Sequence, residues 1–211
     1  MTSVLPGEVT ADGSGSGSGS ASAAPADPLA LAASWLTGTG APVTMTLSTI
    51  GLDGYPSART VLLSAFDGER LHFHTDSRSR KAAEVAAVPR ATATIVWPET
   101  ARQLVVTGDV APVTDQEARA AYAARTHYLQ VLAWVNDHPL AAAEDDVRRA
   151  TWAAFIAEHR DVVLGPPDTW VGYAITPVRM LFWRGATDAP SNRLAFERDG
   201  DGTWTSERWP G

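Results

Sequence analysis

The chain has 211 residues, 45% hydrophobic and 19% charged, with a formal net charge of −7. That length supports one substantial core or two small lobes, and an acidic balance with no basic run against it argues against nucleic acid as a partner. Cysteine is absent, which excludes disulfides, thiolate catalysis and Cys-ligated metals. No apolar run reaches membrane-spanning length. The first residues carry neither a basic segment nor an apolar one behind it, so no membrane partner is expected and the expected location is the cytoplasm.

Residues 1–26 read as a tail, because the Gly-Ser alternation from Gly13 to Ser20 cannot bury enough surface to offset its ordering entropy. The remainder, 27–211, reads as a single domain. Pro28 to Leu36 is predicted as a short helix behind an Asp27 N-cap, ended by Gly38 and Gly40. Val43 to Leu52 is a β-rich run, and Asp53-Gly54 turns it into the strand that Arg59 opens. Thr60 to Phe66 and Leu71 to Thr75 flank a second Asp-Gly turn, at Asp67-Gly68, a strong short-range hairpin signal. A helix over Ser79 to Val88, a strand over Thr92 to Trp97, a turn over Pro98 to Ala101 and an alternating strand over Arg102 to Val110 follow. Five strands joined by short turns predict an antiparallel barrel, and no glycine-rich nucleotide loop interrupts them.

The period then changes to helical, giving an insertion at about 115–160. Thr114 with Glu117 forms a capping box for one long helix carrying Ala118, Tyr122, Arg125, Leu129 and Trp134. A second helix runs from Glu144 to His159, with Val147, Ala150, Trp152, Phe155 and Ile156 near its apolar side. Asp145 and Asp146 at its start suit the helix dipole and carry no chemistry of their own. Strands resume at Val171 to Ile175, Met180 to Arg184, Leu194 to Arg198 and Trp204 to Arg208, so the fold class is mainly β with a helical insertion.

Arg59, Arg78, Arg80 and Lys81 gather around one hairpin and the mouth of a helix in an otherwise acidic chain. Charge-assisted donors beside free helix N–H groups suit a phosphate, although a solvated basic loop has the same composition. His72 and His74 alternate on one strand and share a face, but no third ligand stands at a nearby spacing, so no metal is expected. Gln103, on a strand otherwise made of Leu104, Val105 and Val106, reads as a buried amide that needs partners, which the carbonyls of a flat heterocycle would supply.

These segments, R-T-V-L-L-S (59–64), F-H-T-D-S-R-S-R-K (73–81), R-Q-L-V-V-T-G (102–108), W-V-G-Y (170–173) and F-W-R-G (182–185), resemble the pyridoxamine 5'-phosphate oxidase family of FMN-binding split barrels, from about Pro42 to Pro210. The resemblance implies FMN as cofactor and a homodimer with flavin sites at its interface. It implies that Arg59, Arg80 and Lys81 hold the phosphate and ribityl region, that Val61, Leu62, His74 and Thr75 frame the cofactor, and that Gln103 meets its ring. Trp183 and Arg193 would reach in from the partner chain.

The departures lie on the substrate side. Ser64 stands where the family's oxidases have Lys; Ala189-Pro190-Ser191-Asn192-Arg193 replaces their R-L-H-D-R; and Ala121, Arg125 and Leu129 stand where they use Tyr, Arg and Ser, with Tyr122 next door. The expected enzyme is therefore an FMN-dependent oxidoreductase, with dioxygen as acceptor, that takes a hydride from a small, non-phosphorylated aromatic or amine substrate to flavin N5, as family members in secondary metabolism do. Arg125, Tyr122, Ser64 and Ser191 are the substrate-side candidates. Alternatives are an authentic pyridoxamine or pyridoxine 5'-phosphate oxidase, a non-catalytic flavin-binding protein, and a deazaflavin-dependent reductase.

Overall fold

The computed structural model describes residues 27–37, 43–160 and 162–210; the N-terminal tail and the glycines after the first helix lie outside the described residues. Helix α1 (Pro28–Leu36) starts where expected, with the Asp27 carboxylate accepting from the Leu29 N–H and proline in its first turn. Strands β1 (Thr44–Ile50) and β2 (Pro56–Leu62) form the first hairpin, with Gly54 in its turn at φ +84°. In the second hairpin the strand predicted over 60–66 breaks after Leu62. Only a two-residue β3 (Ala65–Phe66) pairs with β4 (Leu71–Asp76), around Gly68 at φ +97°. Both glycines occupy the left-handed region that a side chain disfavours. Asp67 holds this second turn, accepting from the Glu69 and Arg70 N–H groups at 2.9 and 2.7 Å.

Helix α2 (Arg80–Ala87) is capped by the Ser79 hydroxyl, and β5 (Arg90–Trp97) and β6 (Arg102–Pro112) follow. The capping box at Thr114 and Glu117 is present, but it opens a shorter helix than predicted. Helix α3 (Asp115–Ala123) stops, and α4 (His127–Val135) restarts under a second N-cap, Thr126. A one-turn α5 (His138–Ala141) leads to α6 (Asp145–Glu158), whose residues pack too loosely for any to be fully buried. Of the four strands expected beyond the insertion, the first two are one 15-residue strand, β7 (Trp170–Arg184), and the others are β8 (Asn192–Arg198) and β9 (Trp204–Trp209).

All pairings are antiparallel, in the order β2-β1-β5-β6-β7-β4-β3, with β8 and β9 branching from β7. Strand β7 makes the branch. Its first half pairs with β4, its second half with β8, and β6 runs beside both. The change of register falls between Thr107 and Gly108, opposite Pro177. A proline offers no N–H to the ladder, and a Cβ on Gly108 would lie 2.1 Å from the Thr176 carbonyl oxygen. Pro177 therefore sits within a continuous β7, opposite the bulge.

The inner face of this curled sheet carries the core: Met45, Leu47, Phe73, Ile95, Leu104, Val106, Ile175, Met180 and Phe182. Helix α1 lays Trp35 against it, edge-on to Trp97 and Phe182 at 5.9 and 5.2 Å, with the Arg102 guanidinium 5.2 Å from the indole. Burying on the order of 200 Å² of indole is worth about 5 kcal/mol as an upper estimate, which anchors a helix too short to persist alone. The opposite face of the sheet is lined by alternate residues such as Val105, Thr107, Leu181 and Ala195, which flank a groove of about 450 Å³.

Candidate active site

A cleft of about 330 Å³ opens between β2, β4, the start of α2, and α4. Seven residues singled out in the sequence line it: Arg59, Val61, Leu62, His74, Thr75, Lys81 and Arg125. Strand β2 presents Arg59 and Val61 because they alternate in register with Leu47 and Met45 of the core face. Lys81 comes from the first turn of α2, where its ammonium donates to the Thr75 hydroxyl at 3.1 Å. Burial, then the neighbouring Arg59 charge, lowers the Lys81 pKa, so the ammonium sits where a further anion would be welcome.

Arg59 is firmly held. One terminal nitrogen donates to the Leu47 carbonyl (3.1 Å) and the Thr49 hydroxyl (2.6 Å), the other to the Ser57 hydroxyl (2.6 Å) and the Glu84 carboxylate (2.5 Å). Glu84 is fully buried and also accepts from Thr49 at 2.6 Å and from Arg80 Nε at 2.8 Å. Burial opposes its ionisation, but these hydrogen bonds and the Arg59 charge win and bring its pKa to about 2. Arg80, expected beside the phosphate, does not line the cleft: it is mostly exposed, held by Glu84 and, at 3.7 Å, by Asp53.

The other wall is aromatic and apolar. The His74 and Trp170 rings stack at 5.2 Å and 7° from parallel, and the Arg125 guanidinium lies 4.5 Å from the indole centre. Gly172, opposite His74 in register, makes room: a Cβ there would stand 2.6 Å from His74 Nε2. His74 Nδ1 is 2.9 Å from the Ser64 hydroxyl, while its Nε2 is buried without a partner. Burial first, and then the charges of Arg125 and His72, lower the His74 pKa to about 4, so the ring is neutral at neutral pH. Arg125 is lowered by burial, and Leu129, Leu132 and Ala133 of α4 complete the wall.

Tyr122 does not line the cleft. It is 1% exposed, its hydroxyl donates to the Gln130 carbonyl at 3.3 Å and accepts from Trp134 Nε1 at 3.1 Å, and its ring meets Trp170 edge-on. It fastens α3 to α4 and supports Trp170 from behind. Ser64 touches the site through His74 alone, and Ser191 lies outside the cleft in the loop before β8.

Gln103, Trp183 and Arg193 are together, but elsewhere. Gln103 pairs with Trp183, Trp183 with Arg193, and Arg193 with Trp209, a row running straight across β6, β7, β8 and β9. Gln103 is half-buried, not the fully buried amide its apolar neighbours suggest, because the face it shares with Val105 and Thr107 is the outward one. In sheet order β6 is three strands from β2, roughly 14 Å at the usual strand spacing. Arg193 Nε is buried without a partner. One chain therefore carries a cationic cleft and, apart from it, an amide–indole–guanidinium row. Glu84 and Trp170 were not singled out as site residues; the only signal for Glu84 is its spacing of four from Arg80.

The sequence profile described as pyridoxamine 5'-phosphate oxidase matches residues 35–162, and that described as the pyridoxine 5'-phosphate oxidase C-terminal dimerisation region matches residues 170–210. A pyridoxine/pyridoxamine 5'-phosphate oxidase of Caulobacter vibrioides is 36% identical over 187 residues, covering 86% of this chain and 84% of its own length. Among solved structures, PhzG of Burkholderia lata, in complex with tetrahydrophenazine-1-carboxylic acid, superposes with a TM-score of 0.78 at 27% identity, covering 89% of this chain and 94% of that one. An FMN-binding, pyridoxamine 5'-phosphate oxidase-related protein of Nostoc punctiforme shares the fold, with a TM-score of 0.62 at 22% identity over 80% of this chain and 87% of that one.

Proposed function

The chain belongs to the pyridoxamine 5'-phosphate oxidase family and has its split-barrel fold, and from that membership we propose that it is an FMN-dependent oxidoreductase acting on a small, non-phosphorylated, planar substrate. The residues present suit FMN. Lys81, Arg59 and the start of α2 offer a phosphate charge-assisted and backbone donors. The Gln103–Trp183–Arg193 row offers a flat heterocycle an amide, an indole and a guanidinium with a buried donor to spare. When bound, FMN supplies the two-electron acceptor, with dioxygen proposed to reoxidise it. The protein's part is to bind, orient and keep water out.

Trp170 in the cleft and Trp183 in the row stand thirteen residues apart on one strand, roughly 40 Å at strand rise, and the C-terminal region matches a dimerisation profile. We therefore assign each cofactor site to two copies of the chain, the cleft from one and the row from the other.

The observation that carries the substrate reading is the wall opposite the cations: Leu129, Leu132 and Ala133, with Arg125 laid on Trp170 as its one charge. With Ser64 in place of a lysine, that wall has too few donors for a phosphate, which needs several charge-assisted bonds. One guanidinium beside apolar surface fits an aromatic carboxylate, or an aromatic amine stacked without it. The carboxylate bound to PhzG has that chemistry. Neutral His74, hydrogen-bonded to Ser64, fixes the indole on which Arg125 rests.

The test is anaerobic mixing of flavin-loaded protein with pyridoxamine 5'-phosphate and with a panel of partly reduced aromatic carboxylates and amines, following the flavin absorbance. Bleaching by a panel member but not by the phosphate ester supports the proposal. Rapid bleaching by pyridoxamine 5'-phosphate supports the second reading, an authentic oxidase like the relatives at 36% identity. Bound flavin that nothing bleaches points to a carrier, and a shorter-wavelength chromophore to a deazaflavin.

A further inference from the structure

Arg59 and Lys81 line the cleft, Arg80 precedes Lys81 on the first turn of α2, and one buried carboxylate ties Arg59 to Arg80. Glu84 is 0% exposed and sits one helical turn beyond Arg80 on α2, which packs against β1. One of its oxygens takes the Arg59 guanidinium and the Thr49 hydroxyl; the other takes Arg80 Nε at 2.8 Å. The Thr49 hydroxyl, 3% exposed, accepts from Arg59 at 2.6 Å and donates to Glu84 at 2.6 Å, closing a ring of three groups on three elements. A buried carboxylate is costly unless its acceptor sites are filled, and here both oxygens are bound.

We propose that Glu84 is a positioning residue for the cofactor phosphate, fixing Arg59 and Arg80 in their binding arrangement before the ligand arrives. This rests on the FMN reading above. Four of Arg59's five N–H groups are spent on Leu47, Thr49, Ser57 and Glu84, so Arg59 acts as a rigid charge with at most one donor to offer. Lys81 and Arg80 keep donors free.

Two effects of removing the Glu84 charge have opposite signs. By Coulomb's law alone, Glu84→Gln makes the site more positive and tightens FMN. If Glu84 positions the arginines, the same change frees them and FMN weakens. The experiment titrates flavin-free, full-length wild type and Glu84→Gln with FMN and with riboflavin, which lacks the phosphate, by quenching of flavin fluorescence. The expected result is FMN affinity lower by about tenfold or more, the scale of one charge-assisted bond, with riboflavin affinity within about twofold of wild type. Parallel loss of both ligands, unchanged FMN affinity, or tighter FMN would each overturn the inference. Wild type that binds neither flavin would instead remove the FMN reading beneath it. Thr49→Val, which keeps shape and cuts the same ring, is the second variant should Glu84→Gln fail to fold. It is expected to lower the FMN-to-riboflavin preference by about threefold, and an unchanged preference there counts equally against Glu84.

Discussion

Replacing Lys81 by Met separates the work of the cleft from the stability of the fold. The Lys81 ammonium uses one N–H on the Thr75 hydroxyl, at 3.1 Å, and leaves two for a ligand. Burial and the Arg59 charge disfavour its charged form, so the empty cleft gains little from holding it. Met fills nearly the same volume. Removing one charge-assisted bond to phosphate costs about 1.5–3 kcal/mol, or about 10- to 150-fold in FMN dissociation constant. In the flavin-free protein, loss of the Thr75 bond is offset by no longer burying a cation, and stability stays within about 1 kcal/mol. Fluorescence titration with FMN and riboflavin measures the first quantity, and urea unfolding of flavin-free protein the second. Equal weakening of both flavins, or a large fall in stability with unchanged FMN affinity, would show that Lys81 is a packing residue and refute the reasoning.

His74 has a folded pKa of about 4, below the ordinary 6.5. Its contribution to stability is complete above about pH 6.5 and is lost as pH falls toward 4, because the unfolded chain takes up the proton first. His74→Phe keeps a ring against Trp170, and its unfolding free energy is expected to lose up to about one proton of pH dependence in that window relative to wild type; identical slopes would contradict the burial argument. Gly108→Ala drives a Cβ to 2.1 Å from a backbone oxygen that cannot step aside, so a loss of about 3 kcal/mol or more is expected in chemical unfolding, and a neutral variant would mean the bulge rearranges. Leu181 shares the outward face with the Gln103–Trp183–Arg193 row, which the proposed two-copy arrangement covers; Leu181→Arg is therefore expected to give a monomer by light scattering and to lose FMN although it touches nothing in its own cleft.

Local signals fixed most element ends. The Asp27 and Thr114 caps, both Asp-Gly turns and the Ser79 start of α2 each depend on residues within a few positions of one another, and they are present as read. Continuity of elements is less local. Apolar spacing carried a helix straight through Arg125, although Thr126 is itself an N-cap. The residues between Ile175 and Met180 read as a gap between two strands, but strand continuity depends on the bulge at Gly108, far away in sequence. The cationic cleft was legible because its residues cluster at two nearby segments. Gln103 was harder: only register across β6, β7 and β8 shows that it keeps company with Trp183 and Arg193. The burial of Tyr122 and Glu84 has no signature in the spacing of their own helices: Tyr122 is covered by α4 and Trp170, and Glu84 by Thr49 and Arg59 of the first hairpin.

Strand β7 begins at Trp170, in the wall of the cleft, and ends one residue past Trp183, in the outward row. It spans roughly 50 Å at strand rise. In the two-copy arrangement proposed above, those ends belong to different flavins, which has a genetic consequence. A chain damaged only in its cleft, Lys81→Met, still lends a sound row; a chain damaged only in its row, Arg193→Ala, still lends a sound cleft. Each homodimer has two defective sites. The mixed dimer gathers both lesions into one site and leaves the other whole. Co-expressing the two inactive alleles should therefore restore up to half-occupancy of FMN per mixed dimer, whereas two cleft alleles together should restore none.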